Sequence, residues 1–199
     1  MSILLWVLVG TVLVLAALRV RSLVSPRAFP PWMTPMLETP LRNRERIVLR
    51  AGVRPNERIL EIGPGAGWLS EALLGKLGAD GQLTCLDIQI EMLRKVRARL
   101  GERTPWLVCS SGSCLPFREG TFDRAFLQHV LGEIPDKKGA VVELARVIRA
   151  DGELAVGEGL PDPDYIRAPV LRELVMEAGF ELGERLGSWW EYTHRFRRP

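Results

Sequence analysis

An α/β fold, with a mostly parallel sheet covered by helices on both faces, follows from three features of this 199-residue sequence. From residue 58 onward, apolar runs of strand length alternate with segments of helical spacing. A glycine-rich turn, Gly63-Pro64-Gly65-Ala66-Gly67, separates the first run from the first of those helices. An acid, Asp87, closes the second run. At roughly 100 to 200 residues per domain, the length allows one catalytic-sized domain plus a short appendage. With 47% apolar and 26% charged residues, the chain is neither disordered nor a polytopic membrane protein. Three cysteines, Cys85, Cys109 and Cys114, cannot form a disulfide framework and favour a reducing compartment.

The chain opens on an apolar run, Ser2 to Leu18, that lacks any charged side chain. As a helix of about 1.5 Å per residue it reaches about 27 Å, close to the hydrocarbon thickness of a bilayer. Positive charge follows the run, at Arg19 and Arg21, where a signal peptide carries it in front. Residues 1–22 are therefore expected to be an uncleaved single-pass anchor with everything after Arg19 on the cytoplasmic side. A buried or interfacial helix is the alternative. Residues 23–40 hold Pro26, Pro30, Pro31, Pro35 and Pro40 together with Trp32, which suits an irregular linker along the membrane interface. Residues 19–54 carry eight arginines against Glu38 and Glu45. Basic charge beside an apolar segment points to anionic lipid head groups, and no nucleic-acid partner is expected.

Residues 41–199 form the predicted catalytic domain. Thr39 as N-cap and Pro40 at the first helical position predict a short helix ending near Gly52. Strands are expected at 58–62, 82–86, 106–109, 124–128, 153–157, 180–186 and 189–196. Helices are expected at 68–77, 90–100, about 137–149 and 168–178. The last two strands form a hairpin turning at Gly187-Ser188, with Trp189-Trp190 alternating so that one ring enters the core.

The chemistry gathers where open α/β sheets bind ligands, at the carboxyl ends of the first strands. Glycines let the backbone approach a ligand, and the helix behind them offers unsatisfied N–H groups. The loop reads G-x-G-x-G. A dinucleotide fingerprint would need glycine at position 68, where this chain has Trp68. Glu61 precedes the loop. Asp87, 20 residues beyond Gly67, is placed to accept hydrogen bonds from the two ribose hydroxyls of an adenosine. A tight strand-to-helix turn without a ligand is the simpler alternative for the glycines alone.

Four segments carry a resemblance: L-E-I-G-P-G-A-G (60–67), L-D-I-Q-I-E-M-L (86–93), L-P-F-R-E-G-T-F-D (115–123) and E-L-A-R-V-I-R-A-D-G-E-L (143–154). In that order and spacing they resemble the motifs of class I S-adenosylmethionine-dependent methyltransferases, especially the small-molecule and quinone types. The resemblance covers about residues 41–185. It implies a Rossmann-like sheet of seven strands and S-adenosyl-L-methionine as cofactor. By the same resemblance Glu61 lies near the methionine amino group through its surroundings. Gly63, Gly65 and Gly67 then lie along the cofactor, Asp87 on the ribose, Ile88 beside the adenine, and Gln128 in the turn after the fourth strand.

One position departs from the pattern. Where the family often has an Asp-Ala pair before L-P-F, this chain has Ser111-Gly112, so a hydroxyl or the backbone would have to meet the adenine amino group. His129, in the turn after the fourth strand, is the candidate catalytic base, because imidazole can take a proton near neutral pH; a structural histidine is the alternative. Glu133 and Asp136 suit a helix cap, Glu158 a substrate contact, and Tyr165 a lid. The cysteines have no metal-ligand spacing with His129 and His194, so no metal is expected.

The predicted activity is methyl transfer to a small, hydrophobic or membrane-associated acceptor: a lipid, a quinone-like molecule or a thiol. The alternative is a non-catalytic, membrane-tethered cofactor-binding module acting as an assembly or regulatory partner. Methylation of RNA or protein is disfavoured, because the basic residues cluster beside the apolar run and not around the cleft motifs.

Overall fold

The structure, a computed structural model, describes residues 6, 9–14, 16, 17, 20 and 43–199. Its seven strands are β1 (Arg58–Ile62), β2 (Gln82–Asp87), β3 (Trp106–Cys109), β4 (Phe122–Gln128), β5 (Ile148–Gly159), β6 (Glu181–Gly187) and β7 (Glu191–Arg197). The helices are α1 (Arg44–Arg50), α2 (Trp68–Leu77), α3 (Ile90–Leu100), α4 (Lys137–Val147) and α5 (Ala168–Glu177). They form one sheet in the order β3-β2-β1-β4-β5-β7-β6. β1 to β5 pair in parallel, whereas β7 is antiparallel to both β5 and β6. The expected parallel sheet with a terminal hairpin is present.

Strand alternation sorts the core into two layers. Leu60 and Ile62 of β1 join Leu127, Val156, Val141, Leu144 and Leu171 on the face covered by α4 and α5. Ile59 joins Leu83, Phe126, Ala155, Leu73 and Val96 on the face covered by α1, α2 and α3. Both faces are buried, so β1 reads as the continuous apolar run R-I-L-E-I, interrupted only by Glu61.

Several boundaries differ from the sequence expectation. The N-cap of α1 is Asn43, whose side chain accepts a hydrogen bond from the Arg46 N–H; Thr39 and Pro40 lie outside the described residues. β5 begins at Ile148, so α4 stops at Val147, and a register shift between residues 122 and 124 of β4 absorbs the extra residues of β5. Ile148 is fully buried, and in a short apolar run helix and strand periodicity give the same pattern. Trp189 and Trp190 are not strand residues: both sit in the hairpin turn, 75% and 47% exposed. Neither ring enters the core, because alternation of faces stops where the ladder stops.

The proposed linker, 23–40, lies outside the described residues, as do many of residues 1–22. The described positions between 6 and 20 are helical and exposed. Among the described residues, no helix is long and apolar enough to cross a membrane.

Candidate functional site

Because β1, β2, β3, β4 and β5 run in parallel, their carboxyl ends open on one edge of the sheet, and the candidate cofactor-binding positions, with His129, lie at or just beyond that edge. The loop after β1 turns on three positive φ angles: 68° at Gly63, 56° at Gly65 and 81° at Gly67. A Cβ on Gly63 would fall 2.3 Å from Val130 Cγ2, so the loop packs directly against the turn after β4. A Cβ on Gly65 would meet nothing within 4 Å. Gly65 thus holds backbone open to a ligand in a conformation that L side chains resist.

Glu61 is 2% exposed, on the α2 face of β1. Its Oε2 accepts hydrogen bonds from Ser70 Oγ on α2 at 2.5 Å and Cys85 Sγ on β2 at 3.3 Å. Burial pushes its carboxyl up to about 7, partly offset by those two donors. Asp87 closes β2, where its Oδ1 accepts the Gln89 N–H at 2.8 Å. Burial raises Asp87 to about 6, against the lowering effect of the N–H groups of Gln89 and Ile88. Ile88, beside it, is 62% exposed.

The raised Glu61 predicts a pH signature. Folding holds a proton on Glu61 that the unfolded chain releases above about pH 4.5, so this group's stabilisation is full below that pH and is lost as pH rises through about 7. Glu61→Gln mimics the protonated form. Urea denaturation at pH 5 and pH 7.5 should show the variant gaining about 2 to 3 kcal/mol on the wild type across that interval. A constant difference at both pH values would contradict the assignment.

The remaining positions come from loops after β3, β4 and β5. Ser111 Oγ lies 3.0 Å from Ser113 Oγ and accepts the Ser113 N–H at 3.3 Å, so its hydroxyl is engaged within its own turn. Gly112 packs closely on Ile134 and Ile62. Gln128 ends β4 with its amide against Gly157 of β5, and its buried Oε1 has no hydrogen-bond partner among the described residues. His129 follows with φ 57°, its N–H donating to the Gly157 carbonyl at 2.9 Å.

That left-handed turn delivers the imidazole to the end of β5. Its Nδ1 lies 3.3 Å from Asp162 Oδ2, and one nitrogen of His129 forms, with carboxylate oxygens of Glu158 and Asp162, a set of atoms all within 4.8 Å of one another. Glu158 is 1% exposed. Burial, with the negative charge of Asp162 beside it, pushes the Glu158 carboxyl well above the usual range. Nothing in the sequence marks Asp162, because it lies beyond the end of β5 and no periodicity identifies a loop residue that folds back.

The other candidates make contacts within the fold. Asp136 caps α4 by accepting the Gly139 N–H. Tyr165 donates to the Trp189 carbonyl at 2.9 Å and Tyr192 to the Ile166 carbonyl, which ties the loop after β5 to the hairpin. His194 is buried between the rings of Tyr192 and Phe196, and burial pushes it down to about 4, away from any role as a base near neutrality.

Residues 60–156 match the model of the methyltransferase domain family, and this match spans the glycine loop, Asp87 and the turn at Gln128. That stretch is a methyltransferase domain of the S-adenosylmethionine-dependent kind. Its relatives include the ubiquinone/menaquinone biosynthesis C-methyltransferases UbiE of Cupriavidus taiwanensis (34% identity over 114 residues, 56% of this chain and 46% of the relative) and Bordetella avium (37% over 112 residues, 55% and 43%). The chain thus spans a little under half the length of these curated relatives. A solved S-adenosylmethionine-dependent methyltransferase of Aquifex aeolicus superposes with a TM-score of 0.78 at 19% identity, over 86% of this chain and 100% of that one. The methyltransferase domain's fold and family imply S-adenosyl-L-methionine as its cofactor. The chain's own residues fit that cofactor: Gly65 leaves open space, Asp87 stands at a strand end, Ile88 is exposed, and Gln128 offers an unpartnered buried oxygen.

Proposed function

We propose that this chain transfers a methyl group from S-adenosylmethionine to a small hydrophobic acceptor of the quinone-like or lipid class, at a membrane surface to which its N-terminal segment holds it. The observation that carries the reading is the open backbone at Gly65 between Asp87 and the turn at His129, within a domain whose relatives are named as quinone C-methyltransferases. The cofactor supplies a methyl group already activated on a sulfonium. Asp87 would bind the ribose hydroxyls, Ile88 cover the adenine, and Gly63, Gly65 and Gly67 admit the remainder against the loop. Glu61 would act on the methionine end through Ser70 and the loop, since it is itself buried.

In-line transfer needs position more than acid–base power, so orientation carries most of the acceleration. His129 precedes Val130, which packs on Gly63, and its imidazole lies against Gly159 at the end of β5, on the acceptor side of that arrangement. With Asp162 at Nδ1, its imidazole is oriented to take the proton that an enolic or phenolic acceptor releases. The apolar run at residues 2–18, the arginines that follow it, and the exposure of Trp6, Leu13 and Val14 support attachment to a bilayer with the catalytic domain on the cytoplasmic side.

The test supplies methyl-labelled S-adenosylmethionine to the full-length protein and to residues 43–199, each with membrane extract or with a water-soluble hydroquinone. Label should enter the solvent-extractable lipid fraction, and truncation should slow that reaction about ten-fold or more by removing surface concentration. Equal turnover of lipid acceptors by both forms would remove the membrane element. Cofactor binding without any methylated product would remove catalysis.

A further inference from the structure

We infer that His129, Glu158 and Asp162 form a site for a divalent transition-metal cation at the acceptor end of the cleft. The inference rests on the reading of that edge as the acceptor side. One nitrogen and two carboxylate oxygens, from the end of β4, the end of β5 and the loop beyond, all lie within 4.8 Å of one another. A cation with ligand bonds of about 2.0 to 2.2 Å spaces neighbouring ligand atoms about 3.0 to 3.5 Å apart. The Nδ1 to Oδ2 separation of His129 and Asp162 is 3.3 Å, so small side-chain rotations of Glu158 complete the set.

A second observation points to a ligand. Glu158 is 1% exposed, yet its Oε1 has no hydrogen-bond partner among the described residues, while Oε2 accepts only the long 3.3 Å bond from the Ile166 N–H. Leaving a buried carboxylate oxygen without a partner is destabilising. The charges acting on Glu158 are those of Asp162, Asp164 and Glu133, all negative. Two carboxylates converging in a buried place are compensated by a dication better than by any neutral hydrogen bond. One imidazole with two carboxylates suits manganese, iron(II) or zinc, and three protein ligands leave open positions for water or for a pair of acceptor oxygens. Such a cation would hold a hydroxyquinone-like acceptor in place and favour its ionised oxygen, so that with metal bound His129 would serve as a ligand and the cation would take over the task given above to the free imidazole.

The spacing of cysteines and histidines carries no trace of this set, because two of its three ligands are carboxylates four residues apart around the end of β5, and only the pairing of β4 with β5 brings His129 to them. The test titrates Mn²⁺, and separately Zn²⁺, into full-length untagged protein, following free Mn²⁺ by electron paramagnetic resonance and heat by calorimetry. One Mn²⁺ per chain should bind, displaceable by Zn²⁺. Glu158→Gln and Asp162→Asn should each weaken it by about ten-fold or more. His129→Asn is a third variant that keeps a residue tolerant of the left-handed turn, should either carboxylate variant fail to fold. Affinity unchanged in the variants, or no saturable binding of either ion by the wild type, overturns the site. S-adenosylmethionine binding is measured on the same samples. Its retention without metal binding removes the metal alone, whereas its loss in the wild type strikes the functional reading instead.

Discussion

Asp87→Ala is expected to weaken S-adenosylmethionine binding by about 100-fold or more. Each hydrogen bond from a ribose hydroxyl to a carboxylate is worth about 1.5 to 3 kcal/mol, and every 1.4 kcal/mol is ten-fold in affinity. Asp87 is held for this task at 9% exposure, with Oδ1 against the Gln89 N–H and its strand closed on both sides by β1 and β3. Asp87→Asn keeps a carbonyl acceptor and should lose about ten-fold, the share owed to the charge. Because burial raises the free carboxyl to about 6, wild-type affinity should fall as pH drops through that value, while the Asn variant stays level. Calorimetric titration across pH 5 to 8 reads both effects. Alanine within a few-fold of wild type would place the ribose elsewhere.

Arg124→Met should cost about 3 to 5 kcal/mol of folding stability. Arg124 is 1% exposed on β4, at the amino ends of the strands and so at the opposite edge from the candidate site. Its guanidinium grips Glu57 through Nε at 3.0 Å and Nη2 at 3.1 Å, Glu153 through Nη1 at 2.7 Å, and the Ala51 carbonyl at 2.9 Å. One side chain therefore joins the end of α1, the approach to β1, and β5. Methionine fills the volume but leaves two partly buried carboxylates with only the exposed Arg54, 3.1 Å from Glu153, to offset them, and that lost compensation is the main cost. At about 2 to 4 °C per kcal/mol for a domain of this size, Tm should drop by about 10 °C. Arg124→Lys should recover only part, since a point charge cannot make the forked contact. Cofactor affinity per folded molecule should not change. A Tm shift below about 2 °C would show that the carboxylates find water or another cation once the guanidinium is gone.

Arg124 also marks a limit of sequence reading. In D-R-A-F-L-Q an arginine at a strand entrance looks like a solvated edge residue, and only the register Arg124↔Glu153, beside Glu57, turns it into a buried ion-pair centre. The same limit holds for Trp189-Trp190, whose apolar character suits a strand although both residues form the turn. It applies again to Ser111, whose hydroxyl is spent on Ser113, an interaction two residues away that residue type alone does not reveal.

What the amino-acid order determined by itself was everything that rests on local period and local stereochemistry: seven strands, the helices between them, the glycine turn, and Asp87 at the end of its strand. These depend on side-chain alternation, caps and positive φ, each decided within a few residues. What only the tertiary structure decided was which distant side chains share a buried volume. Glu61 meets Ser70 and Cys85, Arg124 meets Glu57 and Glu153, and His129 meets Glu158 and Asp162. Those meetings follow from strand order and register, and their energies come from desolvation, which is a property of the packed whole and of no segment taken alone.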